Sequence, residues 1–171
     1  MIHINIGSNL DSSFGNKFKN ILTAINKLTE FKVKIIKVSG FYETPSYPNK
    51  NFPKFINMGA IIECKFDYLT LLKITRSIEK KIGRTKANKN EPRVCDIDII
   101  DFNGLIKNTK MLKLPHPRSH LRNFVLYPIK EIDTKWNHPI LRKNIDFLIN
   151  DLSQISRIEI TRLRKSVNIK I

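Results

Sequence analysis

Asp96-Ile97-Asp98 sets two carboxylates two positions apart within an apolar run of Val94, Cys95, Ile97, Ile99 and Ile100. Such a run reads as a buried strand, and alternate residues of a strand share a face, about 6–7 Å apart along the backbone. Two like charges on one half-buried face repel and lose hydration unless a cation lies between them or one is protonated. Oxygen-only ligands at that spacing favour Mg²⁺, which takes a few carboxylates and shares its other positions with water and phosphate. An isolated pair of this kind can also be a strand end facing solvent, so the surrounding residues must decide.

Cations suited to phosphate oxygens flank the pair. Arg93 precedes Asp96 by three positions, and Pro115-His116-Pro117-Arg118-Ser119-His120-Leu121-Arg122 is a proline-stiffened basic loop presenting His116 and Arg122. A guanidinium offers a planar fork of donors matched to phosphate, and an imidazole can donate while neutral. Gly7-Ser8-Asn9 lies between a strand and a helix but lacks the glycine spacing and lysine of a phosphate-cradling loop, so it reads as a tight turn.

The elements that must hold these groups follow from periodicity. Ile2, Ile4 and Ile6 alternate with polar residues as in a strand with one apolar face, and Phe14 to Leu28 recur at helical spacing over about 13–29. Val33 to Tyr42 reads as a second strand, 44–53 as a long proline-rich loop, and Phe55 to Phe66 as a third strand. Asp67 suits the N-cap and Gly83 the C-cap of a second helix, on which Arg76 and Glu79 are expected to share the face opposite the apolar stripe. Beyond the acidic strand, Asn103-Gly104 reads as a hairpin turn into Leu105-Ile106, followed by helices over about 124–132 and 144–152. The order β-α-β-β-α-β predicts an α+β fold with a ferredoxin-like core, its helices on one face of a mostly antiparallel sheet. The expected organisation is one domain over 1–171 with a basic tail from about 156.

Composition narrows the partners. A net charge of +16 points to an anionic ligand, yet Lys, Asn and Ile are abundant throughout, so charge alone does not separate RNA from a small polyphosphate. No apolar run approaches membrane-spanning length, and the alternating N-terminus is unlike a secretory signal. Cys64 and Cys95 have no metal-ligand spacing and read as reduced core residues, which suits a cytoplasmic protein.

Four segments in order carry a resemblance: Ile6-Gly7-Ser8-Asn9-Leu10; Phe41-Tyr42-Glu43-Thr44-Pro45; Pro92-Arg93-Val94-Cys95-Asp96-Ile97-Asp98; and Pro115-His116-Pro117-Arg118 with Arg122-Asn123-Phe124-Val125-Leu126. Over about residues 2–140 the chain resembles the 6-hydroxymethyl-7,8-dihydropterin pyrophosphokinases of folate biosynthesis. The resemblance implies a ferredoxin-like core and transfer of pyrophosphate from ATP to the pterin hydroxymethyl group, releasing AMP. It makes Asp96 and Asp98 the ligands of Mg²⁺, as two ions bound with ATP, and adds Arg93 to the catalytic set. It implies ATP contacts from Glu79, Arg84, Arg93, Ile99, His116 and Arg122, with Lys86 joining from the neighbouring loop. Phe55 and Phe124 stand where the family's rings sandwich the pterin, Asn57 where an amide satisfies its edge, and Thr44, Pro45 and Tyr47 where a loop meets the ring. The expected partners are thus ATP and the pterin, with no nucleic acid, no membrane and a monomeric chain. There are departures: the loop between Gly83 and Pro92 is one residue shorter than in family members, Asn90-Glu91 replaces a frequent Trp-Gly, and Met111 replaces an arginine of some members. They bear on loop closure more than on reaction class. Two other readings are an RNA-binding α+β module, which here lacks the aromatic-glycine octapeptide of RNA-recognition sheets, and a metal-dependent nuclease or phosphatase, which needs a water-activating group that the sequence does not identify.

Overall fold

A computed structural model of the chain describes residues 1–85, 91–165 and 167. The first half runs β1 (Ile2–Ser8), α1 (Lys17–Glu30), β2 (Lys34–Val38), β3 (Tyr42–Thr44), β4 (Phe55–Glu63), α2 (Tyr68–Ile82) and β5 (Asp96–Phe102). A short ribbon of β6 (Lys107–Asn108) and β7 (Lys113–Leu114) follows, then α3 (Asn123–Ile132), α4 (Ile145–Asp151), α5 (Gln154–Ile158) and β8 (Thr161–Arg162). The main sheet has the order β5-β1-β4-β3-β8, with β2 also alongside β4, and its described pairings are antiparallel. This is the ferredoxin-like arrangement expected from the element order.

Local chemistry sets several boundaries. The Asn16 side chain accepts the Lys19 N–H and starts α1 about four residues later than periodicity alone suggests. Asp67 caps α2 by accepting the Thr70 N–H at 2.7 Å, and Gly83 ends it in the left-handed conformation at φ 109°. The strand expected over Val33 to Tyr42 is two strands. At the break Ser39 keeps β4 satisfied, its N–H donating to Gly59 O at 2.9 Å and its Oγ accepting the Gly59 N–H at 3.0 Å. The strand read as running to Phe66 ends at Glu63, and Asn103-Gly104 turns the chain as expected, but β6 then pairs with β7 rather than returning along β5.

The helices cover both faces of the sheet, not one. On the first face Ile4 and Ile6 of β1, Met58 and Ile62 of β4, and Ile97 and Ile99 of β5 pack against Ile21, Ile25 and Leu28 of α1 and Leu71, Ile78 and Ile82 of α2. On the second, Val125, Leu126 and Ile129 of α3 and Ile145 and Leu148 of α4 form a separate core with Ile100 and Trp136. Apolar stripes require both helix pairs to be buried, but only the three-dimensional path decides on which side. Gly59 lets α3 lie close, since a Cβ there would stand 2.8 Å from Pro128 Cβ.

A bulge shapes the second face. Ile4 is opposite Ile99 and His3 opposite Asp101, so Ile100 is an additional residue in β5. Asp101 thereby joins the face that carries Asp96 and Asp98, where it accepts the Trp136 Nε1–H at 2.9 Å. The α3 and α4 core covers the end of this face near His3 and Asp101 and leaves open the end bearing Asp96, Asp98, Gly7 and Asn57. Among the described residues, no helix is long and apolar enough to cross a membrane.

Candidate active site

The open end of the second face is a cleft of about 930 Å³. Its floor comes from three adjacent strands. In register, Asp96 of β5 faces Gly7 of β1, which faces Asn57 of β4, and Asp98 faces Asn5. The carboxylate pair and the Asn57 amide are therefore two strand spacings apart, roughly 10 Å. Gly7 makes room between them, because a Cβ there would lie 2.9 Å from Asn57 Oδ1.

At the acidic end Arg84, Arg93, His116 and Arg122 converge. Arg84 Nη1 lies 2.7 Å from Asp96 Oδ1, and Arg93 Nη1 2.9 Å from Asp96 Oδ2. Arg122 Nη1 lies 3.2 Å from Asp98 Oδ2, and His116 Nε2 is 3.9 Å from the same oxygen. Three guanidiniums stand among three carboxyl groups here, because Arg84 also pairs with Glu79. Burial, and then the neighbouring Asp98, push the Asp96 carboxyl above the usual carboxylate range.

Each cation is placed by backbone. The helix-ending turn at Gly83 is closed by the Arg84 N–H donating to Glu79 O at 3.0 Å. Arg93 is fixed by Asn9, whose Oδ1 accepts the Arg93 N–H at 2.6 Å while its own N–H donates to Arg93 O at 3.1 Å. The His116 N–H donates to Ile100 O at 2.8 Å, so the bulged residue docks the basic loop. His116 Nδ1 accepts the Arg118 N–H at 3.1 Å, which assigns the ring proton to Nε2, facing Asp98. Burial, reinforced by Arg122 and Arg118, lowers the His116 pKa to about 4, so the ring is a neutral donor near pH 7.

The other end is aromatic and amide-lined. Thr44, Pro45, Tyr47, Phe55, Asn57 and Phe124 all border it. The buried Asn57 donates from Nδ2 to Thr44 Oγ1 at 3.3 Å. The Arg122 guanidinium lies over the Phe124 ring at 5.3 Å, joining the two ends of the cleft.

Two expected residues do not reach the cleft wall. Ile99 is 3% exposed and packs its side chain in the core on the opposite face. Glu79 is buried behind the cleft instead of sharing an outer face with the exposed Arg76. Its position four residues after Thr75 and three before Ile82 already put it on the buried stripe. There Glu79 Oε1 accepts the Ile97 N–H at 2.7 Å and pairs with Arg84 Nη1 at 2.6 Å, bracing both β5 and the arginine. Burial pushes its carboxyl up to about 7, against the pull of that N–H and of Arg84. Lys86 and Asn90 lie outside the described residues.

Several residues in and behind the wall were given no role from the sequence. Asn9 also donates from Nδ2 to Ser46 Oγ at 3.2 Å and to Pro53 O at 3.1 Å, stitching the 44–53 loop to the end of β1. Asn5 lies opposite Asp98, and Lys50, Leu121 and Asn123 border the cleft with residues of the α5 region. Alternation could have flagged Asn5 and Gly7 as sharing a face, but not which strands flank them.

The acidic end fits a divalent cation. Asp96 and Asp98 project from one face into the cleft, and Asn5 beside them has a buried Oδ1 with no hydrogen-bond partner among the described residues. These are hard oxygen donors on a rigid strand, and the guanidiniums now resting on the acids can transfer to phosphate oxygens.

The profile of the 7,8-dihydro-6-hydroxymethylpterin-pyrophosphokinase (HPPK) family matches residues 3–134. The 2-amino-4-hydroxy-6-hydroxymethyldihydropteridine pyrophosphokinase of Aquifex aeolicus is 38% identical over 145 residues, covering 83% of this chain and 86% of that protein. Its Bacillus subtilis counterpart is 36% identical over 124 residues, covering 72% of this chain and 74% of that protein. A Plasmodium falciparum HPPK-DHPS structure shares the fold with a TM-score of 0.68 at 18% identity, covering 88% of this chain and 44% of that one. With its acid pair, its cations and its amide-lined end on one open sheet face, this chain belongs to the 7,8-dihydro-6-hydroxymethylpterin-pyrophosphokinase family.

Proposed function

We propose that this protein transfers a pyrophosphoryl group from ATP to 6-hydroxymethyl-7,8-dihydropterin, giving the pterin diphosphate and AMP in folate biosynthesis. The observation that carries the reading is the division of one cleft into a cation-rich acidic end and an aromatic amide end, with glycine between them. The polyphosphate lies against Arg84, Arg93 and Arg122, and the flat acceptor between Phe55 and Phe124 with its edge on Asn57. In this pose the acceptor hydroxyl oxygen bonds to the β-phosphorus, and the bond from that phosphorus to the α-phosphate oxygen breaks. The bridging oxygen leaves on AMP, and the hydroxyl proton passes to solvent.

Such a reaction depends mainly on alignment and on neutralising phosphate charge. Arg93 is braced by Asn9 and Arg84 by Glu79, so the donors are positioned before the nucleotide arrives, which is where electrostatic catalysis gains most. His116, neutral and protonated at Nε2, donates to a phosphate oxygen and is unsuited to accept the hydroxyl proton. Asp96 and Asp98 would hold Mg²⁺, in our reading two ions, which would supply charge neutralisation and acidify the hydroxyl. Glu79 acts through Arg84 and β5, and Ile99 through its backbone.

Incubating the protein with ATP, Mg²⁺ and the hydroxymethyl pterin should release one AMP per pterin diphosphate. Release of ADP instead would mean attack at the γ-phosphorus, and no nucleotide product would sink the reading.

A further inference from the structure

The family match ends at residue 134, yet one wall of the cleft comes from beyond it: Ser153, Ile155, Ser156 and Glu159 border the same cavity as Phe55 and Phe124. This segment is fastened at both ends to elements that carry acceptor-end residues. On one side Asn123 Nδ2, at the start of α3 and adjacent to Phe124, donates to Ser156 O at 2.6 Å. On the other, β8 pairs with β3, the strand that ends at Thr44, and the Leu163 N–H donates to Phe41 O at 2.8 Å. Arg162 locks that pairing with bonds of 3.1 and 2.7 Å to Glu131, whose carboxylate also accepts the Tyr42 hydroxyl. Between these anchors, Glu159 forms an ion pair with Lys50 from the 44–53 loop.

We propose that Ser153–Glu159 is the outer wall of the acceptor end, and that the Lys50–Glu159 pair is a positioning contact holding the 44–53 loop and this wall together around the pterin. The inference rests on the reading of the cleft given above. Three apolar side chains at the mouth, Tyr47 at 83%, Leu121 at 63% and Ile155 at 62% exposure, come from three separate segments and all border the cavity. Water around them is released when a flat, apolar-faced ligand fills that end, so their exposure costs least with the acceptor bound. The phosphate-matched arginines that hold Asp96 and Asp98 belong to other segments, so the wall contributes to acceptor binding and not to nucleotide binding.

The test uses the full chain and measures pterin affinity by fluorescence titration in the presence of a nonhydrolysable ATP analogue, alongside AMP formation. Lys50→Glu and Glu159→Lys should each weaken pterin binding by about threefold to fivefold, the range an exposed ion pair can contribute. The double variant with both charges exchanged should recover most of that loss, and Ile155→Ala should weaken binding by about fivefold or more. Analogue affinity and urea midpoint should stay at wild-type values throughout. Pterin affinity unchanged in the single variants, or a double variant no better than the worse single one, would overturn the wall. Pterin binding that depends on Glu159 without AMP formation would uphold the wall and reject the reaction. Absence of wild-type pterin binding would overturn both.

Discussion

At the scale of single residues the site is an exchange of partners. Asp96 and Asp98 hold Arg84, Arg93 and Arg122, and these same guanidiniums match phosphate oxygens. Asp98→Asn keeps the side chain's size while removing a charge that a cation needs. AMP formation should fall by about a hundredfold or more with the urea midpoint retained, and wild-type turnover would remove Asp98 from the site. His116 gives a pH prediction. Its folded pKa of about 4 lies below the unfolded value of 6.5, so between those pH values the unfolded chain binds the extra proton. Its contribution is complete above pH 6.5 and is lost as pH falls to 4, at a cost of about 3 kcal/mol. Relative to wild type, His116→Asn should therefore gain about that much on going from pH 7 to pH 4 in metal-free urea titrations. Parallel pH curves for the two proteins would show that His116 is not held neutral. Glu79, raised to about 7, acts in the opposite sense in wild type and variant alike, so it cancels in the comparison.

At the scale of elements, two close approaches across the sheet separate folding from binding. Gly59 lies under α3, and an added Cβ meets both Pro128 Cβ at 2.8 Å and the Pro128 backbone at 3.3 Å. A helix backbone cannot yield cheaply, so Gly59→Ala should lower stability by about 1–3 kcal/mol, seen as a lower urea midpoint with unchanged slope. Gly7→Ala meets only the far end of the Asn57 side chain, at 2.9 Å. That amide can turn away, so the fold should survive while pterin affinity drops by about tenfold, the loss of one good hydrogen bond. If Gly7→Ala binds pterin normally, Asn57 is not its edge partner. The cap and stripe of α2 were legible from Asp67, Gly83 and the isoleucine spacing because they are local. The burial of Glu79 was not read from the sequence: its spacing to Thr75 and Ile82 suits the stripe, but a charged residue there is understood only when its partner, the Ile97 N–H, is known.

At the scale of the whole molecule, the sheet has one face fully covered by α1 and α2 and a second only partly covered by α3 and α4. The open remainder gathers the acids together with the arginines paired to them. A nonhydrolysable ATP analogue with Mg²⁺ at a hundred times its Kd should stabilise the protein by about 2.7 kcal/mol, raising Tm by roughly 5–10 °C. Chelator should abolish most of that shift, and an equal shift without metal would remove the cation from nucleotide binding.

By itself the sequence determined what is local in the chain. Alternation placed Asp96 and Asp98 on one face, spacing defined the amphipathic stripes of α1 and α2, and four ordered segments marked the family. Only the tertiary structure decided which sheet face stays open, that the bulge at Ile100 docks His116, that Ile99 turns into the core, and that a segment beyond residue 152 walls the cleft. The reason is physical: periodicity and capping arise between residues a few positions apart. Which surfaces remain uncovered depends on contacts between residues a hundred or more positions apart, such as Lys50 with Glu159, and no local pattern encodes those.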